Sequence, residues 1–376
     1  MSAATVKGWC PGAHRPMLAA DGLVVRIRPR LARLTAAQAL GCCALAQRYG
    51  HGYLDLTNRA NLQIRGVAEG DHAALIKTLA DLDLLDTDPA LESRRNILVA
   101  PFWQSGDLTH RLTKALIDRL ADLPELPAKI GFAVDTLAQP LLTHDSADIR
   151  IERAASGLIL RADGAAAGRA VTEDTAIPAL LEMAAWLGDH LTPDHRRMAQ
   201  VLNHAPLPPE WCDTPALPAA PAPQIGQQSD GALIGAAFGQ IDAHALAQVI
   251  RQHALPAIRL TPWRMFYLEG GTLPDTDAFL TNPLDPVLRV DACAGAPYCP
   301  SSSVETRALA ARLAPHVSGT LHVSGCAKGC ARRGPADLTL TGRDGRFDLI
   351  RHGTATDTPE RRALSPDDIL REVNTL

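Results

Sequence analysis

The chain has no uninterrupted apolar run of membrane-spanning length, no apolar segment behind its first residues, and no large excess of either charge. The first absence excludes a transmembrane helix, which needs about 20 apolar residues. The second gives no secretory signal, so a cytoplasmic, reducing setting away from the membrane is expected. Lys and Arg number 37 against 41 Asp and Glu, a net charge of -4, and no long basic stripe or RNA-binding signature interrupts that balance. Bulk nucleic-acid binding is therefore not expected. Thirteen histidines are present, yet no two have the spacing of a 2-His-1-carboxylate iron site. His14 reads as a loop histidine, and His322, on a strand pattern, as a packing residue. What remains is an ordinary globular composition, 46% hydrophobic and 21% charged, in 376 residues, enough for two or more domains.

Half of the eight cysteines lie in the last quarter, as two tight pairs: Cys293 with Cys299, then Cys326 with Cys330. The other four, Cys10, Cys42, Cys43 and Cys212, are scattered, and Cys42-Cys43 sits in an Ala/Leu-rich helical pattern as buried packing. Two disulfides, a structural zinc or four unrelated thiols are the plain alternatives for the paired set. Disulfides need an oxidising compartment. Zinc ligand pairs are typically separated by about two to four residues, and the first pair exceeds that. A 4Fe-4S cluster, which takes a soft thiolate at each corner, fits the spacing better. The run Gly325 to Cys330 would put its cysteines on one face if it opens a helix, with amides free to donate to sulfur and Lys328, Arg332 and Arg333 offsetting the thiolates.

Seven prolines between Pro206 and Pro223 cannot sit in a regular helix or a central strand. They divide the chain into halves that open alike. In the first, Gly22 to Arg28 reads as a strand, Thr35 to Tyr49 as a helix, and Tyr53 to Leu56 and Arg59 to Val67 as strands. In the second, Ala232 to Phe238 reads as a strand, Ala243 to His253 as a helix, and Ala257 to Leu260 and Met265 to Leu268 as strands. Leu56-Thr57-Asn58-Arg59 echoes Leu260-Thr261-Pro262-Trp263-Arg264, offset by one residue. This weak repeat predicts a duplication with pseudo-twofold symmetry.

Read with period two, Arg59, Asn61, Gln63 and Arg65 share one strand face, and Ala60, Leu62 and Ile64 share the other. A row of guanidinium and amide donors suits a ligand bearing several carboxylates. Arg26 and Arg28 alternate in the same way, although an alternating strand is also what a solvated sheet face looks like.

Taken in order, the Thr57-x-Arg59-x-Asn61-x-Gln63 strand, the Arg95-Asn96 pair, Leu126-Pro127-Ala128-Lys129 and the two cysteine pairs resemble the siroheme-type nitrite and sulfite reductase superfamily over nearly the whole chain. Within it the sequence is most similar to the branch serving aerobic cobalamin synthesis. Gly8-Trp9-Cys10-Pro11-Gly12 with Arg15-Pro16-Met17, Asp21 to Arg28, Asp55 to Gln63 and Ser324 to Cys330 carry that likeness. Two departures separate it from the reductases. Ala327-Lys328 stands where they commonly have Pro-Asn, and Gly131 stands where they carry a second lysine after Lys129, so a sulfite pocket would lack one of its cations.

The resemblance implies an α+β fold with α/β lobes: two ferredoxin-like half-domains (8–75 and 225–285), a lobe at 85–205, a Pro/Ala linker at 206–224, and a lobe at 286–376 holding a 4Fe-4S cluster on Cys293, Cys299, Cys326 and Cys330. It implies an oxidoreductase, a monooxygenase that uses O2 and an external electron donor, either a reductase or a ferredoxin, to hydroxylate precorrin-3A at C20 with γ-lactone formation. The substrate's carboxylates would be held by Arg59, Asn61, Gln63, Arg65, Arg26, Arg28, Arg95 and Lys129. A mononuclear non-haem iron is allowed as a second cofactor, but no ligand for it and no catalytic acid or base is marked. The alternatives are a siroheme-dependent sulfite or nitrite reductase, the one case in which siroheme is expected, and an iron-sulfur electron-transfer protein.

Overall fold

The computed structural model describes residues 11–373. Gly8, Trp9 and Cys10, and the domain limits expected at 8 and 376, lie outside the described residues. The described residues form four sheets. In the first sheet the strand Leu62–Val67 sits between Gly22–Ile27 and Tyr53–Leu56, all antiparallel. Its counterpart places Met265–Glu269 between Gly231–Gly235 and Ala257–Leu260.

Each of these sheets is completed by the other half of the chain. Gln240–Asp242 pairs antiparallel with Tyr53–Asp55, and Arg33–Thr35 pairs antiparallel with Ala257–Arg259. The exchanged strands feed equivalent helices. Thr35 caps Ala36–Tyr49 through a reciprocal capping box with Gln38, and Asp242 caps Ala243–Gln252 by accepting from Ala245 N. Leu31 and Phe238, at matching turns before the exchanged strands, both adopt positive φ (59° and 56°). One continuous core spans both halves, with Leu34, Cys42, Cys43, Leu54 and Ile64 packed with Ile241, Ile250, Ile258 and Phe266. Because both sheets bury an apolar face in this shared core, the two half-domains form one body.

The α/β lobes are also duplicates. Ile97–Val99, Phe132–Asp135 and Ile149–Arg153 run parallel and are followed by antiparallel Leu158–Ala162 and Ala167–Val171. In the second lobe Val290–Ala292, Leu321–Ser324 and Ala336–Arg343 run parallel, followed by antiparallel Arg346–Gly353 and Arg361–Leu364. Each sheet buries one face under its own helices and keeps its own core. The proline-rich stretch runs along the first lobe, where Trp211 is buried and Thr214–Pro215 adds an edge strand, a place that tolerates proline. No helix among the described residues is long and apolar enough to cross a membrane.

Candidate functional site

The donor row begins in a tight turn. Thr57 N donates to Asn61 O (2.9 Å), while Thr57 Oγ1 accepts from Arg59 N and Asn61 N (3.3 and 3.2 Å). Ala60 takes φ 51°, which makes the reversal and launches the strand Leu62–Val67. The duplicate turn follows the same plan: Thr261 N donates to Met265 O, Trp263 N to Thr261 Oγ1, and Arg264 takes φ 60°, although Thr261 Oγ1 itself donates to Met265 O (2.6 Å). Arg59 is therefore equivalent to Trp263 with no inserted residue, which corrects the one-residue offset expected from the sequence. On the same count Asn61 corresponds to Met265 and Gln63 to Tyr267, and the second-half residues pack in an apolar cluster with Leu233 and Ile225. The fold accepts apolar side chains at these positions, so the polar row is a property of the first half alone.

Arg59 Nη2 donates to Lys129 O (3.0 Å) and Ser146 Oγ (3.3 Å). The Gln63 amide oxygen, turned toward Arg26, accepts from Arg26 Nε and Nη2 at 3.2 and 2.9 Å. Asn61 is 6% exposed, and among the described residues its Nδ2 has no partner. Arg65 joins the row to the cysteines: its guanidinium donates to both oxygens of Asp21 (3.3 Å each) and to Tyr298 O (2.9 Å), inside the first cysteine loop. Asp55, beside Arg65, also receives Arg307 from the helix after that loop (3.2 Å).

Two arginines expected to hold substrate carboxylates are placed elsewhere. Arg28 is buried against Glu92 (2.5 Å), both side chains 3% exposed. Arg95 is buried as well, donating to Asp86 (2.8 Å) and to the Arg28 carbonyl, and burial pulls its guanidinium below the ordinary arginine range. Lys129 is half-buried on the loop that Arg59 grips. At Gly131 a β-carbon would stand 3.0 Å from Asn96 Nδ2 and 3.2 Å from Asn96 O. Asn96 Nδ2 itself donates to Ile130 O, so a side chain at 131 would have to push Asn96 aside by a few tenths of an ångström.

The four cysteines sit on two loops that leave the carboxyl ends of adjacent parallel strands, Val290–Ala292 and Leu321–Ser324. Thr306 Oγ1 donates to Cys293 O (2.6 Å), Cys299 N donates to Gly295 O (2.8 Å), and Ser324 Oγ donates to Cys326 O (2.7 Å). Gly325 to Cys330 is a turn rather than the start of a helix, with Gly329 at φ 59°. The sulfur-facing amide comes from the turn instead, as Gly325 N donates to Cys293 Sγ (3.2 Å). Gly325 has no room for more: a β-carbon there would come within 2.2 Å of Ser302 Oγ. Arg332 is committed to Asp291 (3.0 Å). Desolvation pushes the Cys330 thiol up even though the residue reaches the surface; Lys328 pulls it down, and Cys293, Cys326 and Cys299 add to the rise, so all four sulfurs share one electrostatic neighbourhood. Among the described residues no three His, Cys, Asp or Glu side chains converge on a single ion. A cubane takes its thiolates at separate corners, which two facing loops can supply.

Sequence reasoning missed His322 and Trp263. His322 is fully buried, and among the described residues neither ring nitrogen has a partner. Trp263 Nε1 donates to Asp145 Oδ2 (3.1 Å), and burial raises that carboxyl to about 6. The echo of Leu56-Thr57 in Leu260-Thr261 was the available signal for Trp263.

Residues 15–82 match the nitrite/sulfite reductase ferredoxin-like half domain. The NirA protein of Mycobacterium tuberculosis has the same fold, with a TM-score of 0.67 at 17% identity over 94% of this chain and 79% of that one. The fold is thus that of the nitrite/sulfite reductase class, with both its half-domains and its lobes duplicated. Precorrin-3B synthase from Sinorhizobium sp is 31% identical over 396 residues, covering 94% of this chain and 84% of that relative. The chain belongs to the precorrin-3B synthase family and is an oxidoreductase.

Proposed function

We propose that the chain acts on precorrin-3A as an O2-dependent monooxygenase. One oxygen atom enters the macrocycle at C20, a γ-lactone closes from the ring A acetate, and the other oxygen atom leaves as water with an electron pair from an external donor and two protons. Asn61 carries this reading. Its buried amide donor has no partner, stands between Arg59 and Gln63, and occupies a position where the duplicate half has a methionine. An unsatisfied buried donor costs roughly 1–3 kcal/mol, a cost removed when a ligand brings an acceptor. The acetates and propionates of a precorrin are such acceptors. Arg59, Gln63, Arg26 and Lys129 would hold them, with Arg65 tying the pocket to the cysteine loop. Arg28 and Arg95 act in this scheme as supports beneath the row, because Glu92 and Asp86 occupy them.

Cys293, Cys299, Cys326 and Cys330 would hold a 4Fe-4S cluster, which when bound supplies electrons one at a time. The chain's own contribution is to fix the macrocycle's carboxylates so that its C20 edge is presented in one orientation. Among the described residues a mononuclear iron finds no ready three-ligand site. The glycine at 131, set close against Asn96, weighs against oxyanion reduction, which would want a cation there.

The test is anaerobic purification followed by a visible spectrum, iron and sulfide analysis, and turnover with precorrin-3A under heavy-oxygen-labelled O2. Broad cluster absorbance without siroheme bands, and a product carrying one labelled oxygen, are expected. Intense siroheme bands, or an unlabelled product, would sink the proposal.

A further inference from the structure

The two lobes are copies, so their differences isolate what the cysteine-bearing one has gained. Ile97, Leu98 and Val99 pair with Phe132, Ala133 and Val134 as Val290, Asp291 and Ala292 pair with Leu321, His322 and Val323. His322 therefore stands where the cysteine-free lobe has Ala133, and Ser324 where it has Asp135. In the cysteine-free lobe Asp135 organises the following loop, its carboxylate accepting from Leu137, Leu141 and Leu142 N–H groups at 3.4, 2.5 and 2.8 Å. The Ser324 hydroxyl instead donates once, to Cys326 O.

His322 is 0% exposed, and among the described residues neither of its nitrogens is hydrogen-bonded. Burial pulls the imidazole below its ordinary pKa, with Asp291 acting in the opposite sense and Arg332 adding to the fall. A neutral imidazole carries one N–H and one acceptor nitrogen. Leaving each unsatisfied costs roughly 1–3 kcal/mol, a cost that alanine avoids in the other lobe. The neighbours are already satisfied: Asp291 and Arg332 are paired, and Thr339 Oγ1 donates to Gly353 O (2.7 Å). Directly above lies the loop between Cys326 and Cys330, where a β-carbon on Gly329 would stand 3.8 Å from His322 Cε1.

We propose that His322 donates a ring N–H to a sulfur of the cluster held by the four cysteines and thereby raises its reduction potential. The inference rests on the cluster reading above. Donors to cluster sulfurs favour the more negative, reduced state, and hydrogen bonding is among the determinants of cluster potential. His322 thus acts on electron entry rather than on substrate.

The experiment is an EPR-monitored redox titration of cluster-loaded protein with His322→Leu and His322→Gln. In His322→Leu the reduced-to-oxidised ratio at fixed ambient potential should fall about tenfold, which is 59 mV for a one-electron couple. His322→Gln, which keeps an N–H donor, should recover part of that loss. A loaded His322→Leu protein with an unchanged potential overturns the proposal. Pulsed EPR on the native reduced protein labelled with nitrogen-15 histidine needs no variant to fold: a histidine nitrogen coupling to the cluster is expected, and its absence also overturns the proposal. Native protein without iron and sulfide would instead refute the cluster reading itself, a distinct failure.

Discussion

Arg59 and Trp263 hold the same place in the two duplicated turns, and both reach one loop: Arg59 Nη2 donates to Ser146 Oγ at 3.3 Å, Trp263 Nε1 to Asp145 Oδ2 at 3.1 Å. Duplication kept the turn and divided its use, so one half presents a cation and the other an indole. A guanidinium serving a carboxylate is worth about 1.5–3 kcal/mol. Arg59→Ala should accordingly weaken precorrin-3A binding by roughly tenfold to a hundredfold while cluster absorbance stays intact. An anaerobic equilibrium titration measures this, and an unchanged affinity would refute a carboxylate-binding role for Arg59.

Asp145, on the same loop, is raised to about 6 chiefly by burial, with the Trp263 hydrogen bond and Arg150 opposing. The folded state therefore holds a proton that the unfolded chain has released between the ordinary carboxylate pKa and about 6. Folding stability contributed by this group is present at the acid end of that window and is lost as pH rises through it. Asp145→Asn should flatten the fall in Tm between about pH 4 and 6, measured by calorimetry at several pH values. A slope identical to that of the native protein would assign it to other groups.

The sequence made the cysteine loops visible because cluster ligation is a matter of local spacing, and Cys293 to Cys299 and Cys326 to Cys330 each close within one loop. It made the helices and long strands visible because their apolar periods are local too. The exchange of Arg33–Thr35 and Gln240–Asp242 between halves was not visible. Each is a three-residue strand whose partner lies about two hundred residues away, and no local pattern encodes that pairing. Arg28 looked like Arg26 in the alternation, but its fate was decided by Glu92, supplied by a separate helix. His322 read as packing because a strand residue before a turn has no sequence signature for an unmet hydrogen bond.

Arg28 and Glu92 give a prediction that separates support from ligand contact. Both side chains are almost wholly buried, and Glu92 also accepts from Ala13 N (3.4 Å). Removing one partner of a buried pair leaves an uncompensated charge and costs about 3–5 kcal/mol. Arg28→Ala should lower the denaturation midpoint sharply, and Arg28→Ala/Glu92→Ala should recover part of that loss. Urea titrations of the single and double variants measure the coupling. Additive losses would show that the pair is not acting as one unit.

Cys330 is the most exposed of the four paired cysteines and lies at the end of the turn whose Gly329 N donates to Cys326 O (3.4 Å). Burial raises its thiol, and a bound iron would have to overcome that rise by favouring the thiolate. Serine keeps the shape of the turn and offers a harder, more basic oxygen that iron-sulfur chemistry uses poorly. Cys330→Ser should therefore fold with native far-UV circular dichroism while losing visible absorbance, acid-labile sulfide and turnover together. Cys212→Ser, at an exposed thiol far along the chain from both loops, should keep all three. If Cys330→Ser retained the full cluster, Cys330 would not be its fourth ligand, and the pairing of the two loops as one site would have to be abandoned.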